Sequence, residues 1–182
     1  MQTFQNFQED LNSLGHNKPL PPKKQKRLES DKGAFKDFEI EEWKSRPFPK
    51  NDSEEARKEL LILQSMVADR DMEVAQEFML EVDKKIKLPF KRYFKKNDLD
   101  LRLIDQAKKL VDNSSPIILE LKLHYNRVRP YKLASRMNFE RQLAFTIVPL
   151  KTANSPSYPS GHATQGRLMA RYLSDNVPMR HR

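Results

Sequence analysis

The chain has 182 residues, enough for about one domain with an extension, and its 34 Lys and Arg against 25 Asp and Glu leave a formal net charge of +9. The absence of Cys excludes disulfides and thiol catalysis, and no apolar run reaches the length of a membrane span. The positive balance suits anionic partners in general, phosphate esters and nucleic acid alike.

The first ten residues carry neither a basic leader nor an apolar stretch, so no secretion signal is read and a soluble, cytoplasmic protein is expected. Residues 1–50 read mostly as an irregular, Pro-containing arm. Its densest charge, Lys23, Lys24, Lys26 and Arg27, follows a run of prolines and lacks apolar helical spacing. That cluster reads as a solvated face, with nucleic-acid contact as the less favoured option. Phe35, Phe38, Ile40, Trp43 and Phe48 are numerous enough to pack the second half of the arm on the body, with Trp43 as an anchor. His16 falls in the arm.

Residues 51–182 form the second unit, and its signal is helical. Asp52 and Glu55 fit a capping box ahead of Ala56, Leu60, Leu61, Leu63, Met66 and Val67 on one broad face. A polar step at Asp69 and Asp71 separates this helix from one carrying Val74, Ala75, Phe78, Met79, Val82 and Ile86. Pro89 and the basic residues after it mark a turn. Leu101, Ile104, Ala107, Leu110 and Val111 give a third helix, and Ser115 with Pro116 at the first helical position opens a fourth. Residues 145–148 are strand-like but isolated, and strict alternation is absent, so the class is all-α. Asp69, Asp71 and Glu73 alternate too closely to share a helical face and lack a His at four-residue spacing. They read as solvated charge, and no metal site is expected. Met66, Met72 and Met79 are explained by core filling.

Two stretches carry chemistry. In the first, Pro159 ends an extended approach, Ser160 is a good N-cap, and Ala163, Leu168, Met169, Tyr172 and Leu173 have the pattern of an amphipathic helix beginning at Gly161. The first free N–H groups of that helix attract anions, and a Gly there lets an oxyanion approach the backbone. His162 stands at the rim, able to exchange a proton near neutral pH. In the second, Lys122 and the pair Arg129–Pro130 are separated by six residues. On a helix, Arg129 falls two turns after Lys122 on the same face, about 10 Å along the axis. Pro130 disfavours helical geometry at Arg129 and turns it towards the site. His124, two residues from Lys122, lies on another face and reads as structural.

In this order and separation, Lys122, Arg129 and Pro130 followed by Pro159, Ser160, Gly161 and His162 resemble the first two signature motifs of the type 2 phosphatidic acid phosphatase superfamily. Its members include class A acid phosphatases, lipid phosphate phosphatases and vanadium-dependent haloperoxidases. The resemblance covers roughly residues 116 to 175. It implies a helical bundle of the acid phosphatase/vanadium haloperoxidase type in which Lys122, Arg129, Ser160 and the Gly161 N–H bind phosphate and His162 is the general acid. The absence of a membrane-length run favours the soluble branch.

The family's third motif, a Ser-Arg pair followed by a nucleophilic His and its orienting Asp, does not occur after His162, and His181 reads as a solvated terminal residue. The bundle is therefore expected to be incomplete at its C-terminus, leaving the apolar face of residues 163–173 short of a partner and the chain prone to oligomerise. The leading expectation is a phosphatase acting on a phosphorylated small molecule, without a cofactor, that in complete form works through a phosphohistidine. The alternatives are a haloperoxidase holding vanadate in the same oxyanion site, and a non-catalytic module that binds inorganic phosphate or nucleic acid.

Overall fold

One long helix organises the chain. The computed structural model describes residues 19–68, 71–83, 85–136 and 153–178. Its elements are α1 (Pro22–Leu28), a 3₁₀ turn (Gly33–Phe35), α2 (Ile40–Lys44), α3 (Glu54–Ala68), α4 (Met72–Val82), α5 (Leu88–Lys96), α6 (Arg102–Tyr125), α7 (Pro130–Arg136) and α8 (Gly161–Asn176). The described residues are helical without a strand, in line with the all-α expectation. None of the described helices is long and apolar enough to cross a membrane.

The 24 residues of α6 run through Pro116, so the third and fourth helices read from sequence are one. A proline inside a helix removes one backbone hydrogen bond and costs about 3 kcal/mol. The cost is met by burial on both sides of it: Ile104, Ala107 and Val111 before, Ile117, Leu121 and Tyr125 after. Each large apolar side chain so buried returns about 1.5–3 kcal/mol. Pro116 itself is fully buried, and the Ser114 and Ser115 hydroxyls donate to the Val111 carbonyl at 2.8 and 3.2 Å.

The two halves of α6 face different partners. Ile104, Ala107 and Val111 form a core with Phe94 of α5 and with Met169, Leu173 and Val177 at α8. Polar contacts hold α8 in register: the Tyr172 hydroxyl donates to Gln106 Oε1 at 2.9 Å, and Gln165 Nε2 to Ser115 Oγ at 3.3 Å. Phe90 and Phe94 lie four residues apart and both meet this core, which is why the basic segment after Pro89 is a helix and not the predicted turn.

Around the second half, Ile117, Leu121 and Tyr125 are covered by Phe35, Phe38, Ile40 and Phe48. Glu120 adds ion pairs to Lys44 at 2.8 Å and to Lys32 at 3.6 Å. The Tyr125 hydroxyl donates to the Trp43 carbonyl. Trp43 stacks on Phe38 and carries the Arg46 guanidinium 3.8 Å from its ring centroid, a packing role as expected. Residues 19–50 thus hold more regular structure and packing than predicted. Residues 22–28 are helical, with Pro22 in the first turn, where its missing N–H costs nothing.

Further departures are local. Ser53, not Asp52, caps α3, its hydroxyl accepting from Ala56 N at 3.1 Å. The apolar face of α3 is narrower than expected, because Ala56 and Leu60 are buried while Leu61, Leu63 and Met66 are exposed. The face of residues 163–173 is not bare either: Met169 and Leu173 are buried against α6. The more exposed large apolar side chains are Ile62, Met66 and Leu80, on α3 and α4. Asp71 caps α4 by accepting from Glu73 N at 3.0 Å. His16, Asp69, residues 145–148 and His181 lie outside the described residues, as do the side chains of Met72, Val74, Phe78 and Val82.

Candidate anion-binding site

The C-terminus of α6 is set by Asn126, which takes a left-handed conformation (φ 43°, ψ 39°) while its N–H bonds to the Lys122 carbonyl at 2.9 Å. Residues 126–129 therefore leave the helix, and Arg129 sits just before α7. This corrects the expectation that Arg129 lies two helical turns beyond Lys122 on one face. The two cations still meet, because both grip the segment leading into α8. Lys122 Nζ donates to the carbonyls of Pro156 at 2.7 Å and Ser157 at 3.3 Å, and Arg129 Nε to that of Ser155 at 2.9 Å. The segment is tied back to the connector through Ser157, whose N–H donates to Arg127 O and whose hydroxyl donates to Val128 O, both at 2.9 Å.

Beyond this segment, with its cis Tyr158–Pro159 bond, Ser160 is extended and caps α8 as predicted, its Oγ accepting from Ala163 N at 3.3 Å. The first intrahelical bond runs from Thr164 N to Ser160 O at 3.0 Å. The N–H groups of Gly161 and His162 precede it and have no acceptor within the helix. A methyl group on Gly161 would stand 3.9 Å from both Ile118 Cγ2 and Lys122 Cε, an ordinary contact. The α6 wall by itself thus does not demand glycine there.

Lys122 is only 6% exposed. Burial first, then the charges of Arg129 and Lys24, push its ammonium down to about 7. Burial likewise lowers the Arg129 guanidinium. The third cation, Lys24, was read from sequence as part of a solvated run. Instead α1 turns it inward, half-buried between exposed Lys23 and exposed Lys26. Burial, then Arg129, then Arg27 push the Lys24 ammonium down to about 8. The signal for this was present but unused: Pro22 at a helix start places Lys24 and Arg27, three residues apart, on one face.

These groups line a cleft of about 780 Å³ with Ser160, Gly161 and His162. Its walls carry nine Lys and Arg against two carboxylates, Asp83 and Asp112, so the field inside is strongly positive. His162 Nε2 lies 2.9 Å from the Asp83 carbonyl. A carbonyl oxygen only accepts, so Nε2 carries the proton and Nδ1 is the nitrogen left to exchange one. The buried Asp83 carboxylate is 3.9 Å from Nε2. Sequence reasoning missed Asp83, since 79 residues separate it from His162. His124 is turned away, its Nε2 on the Lys44 carbonyl at 3.0 Å. Among the described residues no cluster of three or more His, Cys, Asp or Glu is arranged to hold a metal ion.

No protein-family model, no curated protein and no solved structure matches this chain.

Proposed function

We propose that the cleft binds the phosphoryl group of a phosphate ester, and that the bundle is of the acid phosphatase/vanadium haloperoxidase type its two motifs resemble. The observation that carries this reading is the convergence of buried Lys122 with Arg129 and the first turn of α8. Like charges held together away from water destabilise a fold unless an anion offsets them. Lys122 has a third ammonium hydrogen beyond the two given to Pro156 and Ser157, and Arg129 has guanidinium donors beyond Nε. These would hold the non-bridging oxygens, with the Ser160 hydroxyl and the Gly161 N–H opposite. His162 would protonate the departing alkoxide.

In this reading hydrolysis proceeds through a phosphohistidine, formed by a nucleophile outside the two matched motifs. Vanadate shares the shape and charge of the phosphoryl transition state and would occupy the same donors, the basis of the haloperoxidase alternative. Two measurements test the proposal: orthophosphate affinity, and phosphate release from an aryl phosphate. Loss of both in Lys122→Ala, with loss of turnover in His162→Ala, is expected. Undiminished affinity and turnover in these variants would discard the reading. Added vanadate should inhibit; peroxide-dependent halide oxidation on adding vanadate would select the haloperoxidase instead.

A further inference from the structure

We infer that Lys24 is a third side-chain ligand of the bound phosphate, so that the anion ties the N-terminal helix α1 to α6 and α8. The inference rests on the phosphate reading above but concerns a residue outside both motifs. Three observations meet on it. Lys24 is half-buried and lines the cleft, whereas Lys26, two residues further along α1, is exposed and lies off it. Its ammonium lies within electrostatic reach of both Arg129 and Lys122: beside burial, the charge of Arg129 helps lower Lys24, and the charge of Lys24 helps lower Lys122. Finally, α1 is only seven residues long and buries none of them, so apolar packing gives it little hold on α6.

These facts have one physical consequence. Without an anion, docking α1 brings a positive charge up to two others, an arrangement that repels. With a dianion between them, each of the three cations gains a charge-assisted hydrogen bond, and the repulsion becomes attraction. Phosphate binding and α1 docking then favour each other, as linkage requires of any two events that share a free-energy term. The ligand class is a phosphomonoester group, whether free orthophosphate or the head of an ester. In this arrangement Lys24, with Lys122 and Arg129, would contact the oxygens of the phosphoryl group and leave the alkoxide to His162.

The test uses the full 182-residue chain with two probes, orthophosphate and phenyl phosphate, in two assays: titration calorimetry, and hydrogen exchange of residues 22–28. Lys24→Gln should weaken both probes by about tenfold, the worth of one charge-assisted bond. Lys26→Gln, an exposed neighbour of the same charge off the cleft, should leave both within about twofold. Phosphate should slow exchange across residues 22–28 in the wild type and in Lys26→Gln, but not in Lys24→Gln. If Lys24→Gln binds as tightly as wild type while Lys122→Ala does not, the phosphate site stands and Lys24 has no part in it. Equal weakening in Lys26→Gln and Lys24→Gln would also overturn the inference, reducing α1 to a diffuse positive field. If neither Lys122→Ala nor Arg129→Ala alters binding, it is the phosphate reading itself that falls.

Discussion

Lys122 Nζ lies 2.7 Å from the Pro156 carbonyl, so the buried cation of α6 is fastened to the segment that delivers the N-terminus of α8. In the proposed reading one side chain then serves the site twice, as an anion ligand and as the peg that sets where the other ligands stand. Its replacement should do more than remove a charge.

Lys122→Ala should abolish measurable orthophosphate binding and also loosen residues 155–160, because three carbonyl contacts of that segment depend on Lys122 and Arg129. Hydrogen exchange of that segment separates the effects. Faster exchange is expected in Lys122→Ala and in Arg129→Ala, but not in His162→Ala, which leaves those contacts intact.

A pH dependence follows from the lowered ammonium groups. Lys122 and Lys24 titrate at about 7 and about 8 in the folded chain, against 10.5 for an ordinary lysine. Between these values the unfolded chain binds more protons, so stability without phosphate should rise from pH 7 towards pH 10. Phosphate binds the protonated forms, so its affinity should fall over the same range, opposite in sign. Chemical denaturation and calorimetry at pH 6.5, 8 and 9.5 check both slopes. Lys122→Arg, which puts a guanidinium in place of the titrating ammonium, should flatten both curves.

General-acid catalysis has a signature that depends on the leaving group. Under the proposed phosphatase reading, His162→Ala should slow release of phenol from phenyl phosphate by about 10²–10⁴-fold. The loss should be much smaller for p-nitrophenyl phosphate, whose leaving group departs without a proton. Equal losses on the two substrates would deny His162 that role. Asp83 meets His162 through its backbone carbonyl, so Asp83→Asn should keep the ring in place and leave the difference between the two substrates unchanged.

Two stability predictions probe α6 from its two sides. Met169 is fully buried in the core between α6 and α8, and Met169→Ala should cost about 2–5 kcal/mol in denaturant unfolding. On the other side, Gly33 has φ +49°, and an added Cβ would fall 2.1 Å from Asn113 Nδ2 on α6. Gly33→Ala should cost about 1 kcal/mol or more, since both the left-handed backbone and the close approach oppose a side chain. By contrast, Gly161→Ala should fold normally, its Cβ meeting only ordinary contacts.

What the sequence settled by itself was local. The helical periodicity of residues 101–111 and 161–173, the Ser160 cap and the helix start at Gly161 follow from side-chain spacing and hydrogen bonding within a few residues, and the structure has them. The aromatic residues from Phe35 to Phe48 could be read as packing anchors for the same reason: apolar surface at that density has to be covered. What only the tertiary structure decided was whatever depends on two distant segments meeting. Pro116 is interior to α6 because partners on both sides outweigh a local penalty, and no local rule registers partners. Arg129 reaches Lys122 through the turn at Asn126 and the carbonyls of residues 155–157, not through shared helical phase. Lys24 and Asp83 join the cleft from positions 98 and 79 residues away from Lys122 and His162 along the chain, because burial and charge are properties of the assembled volume.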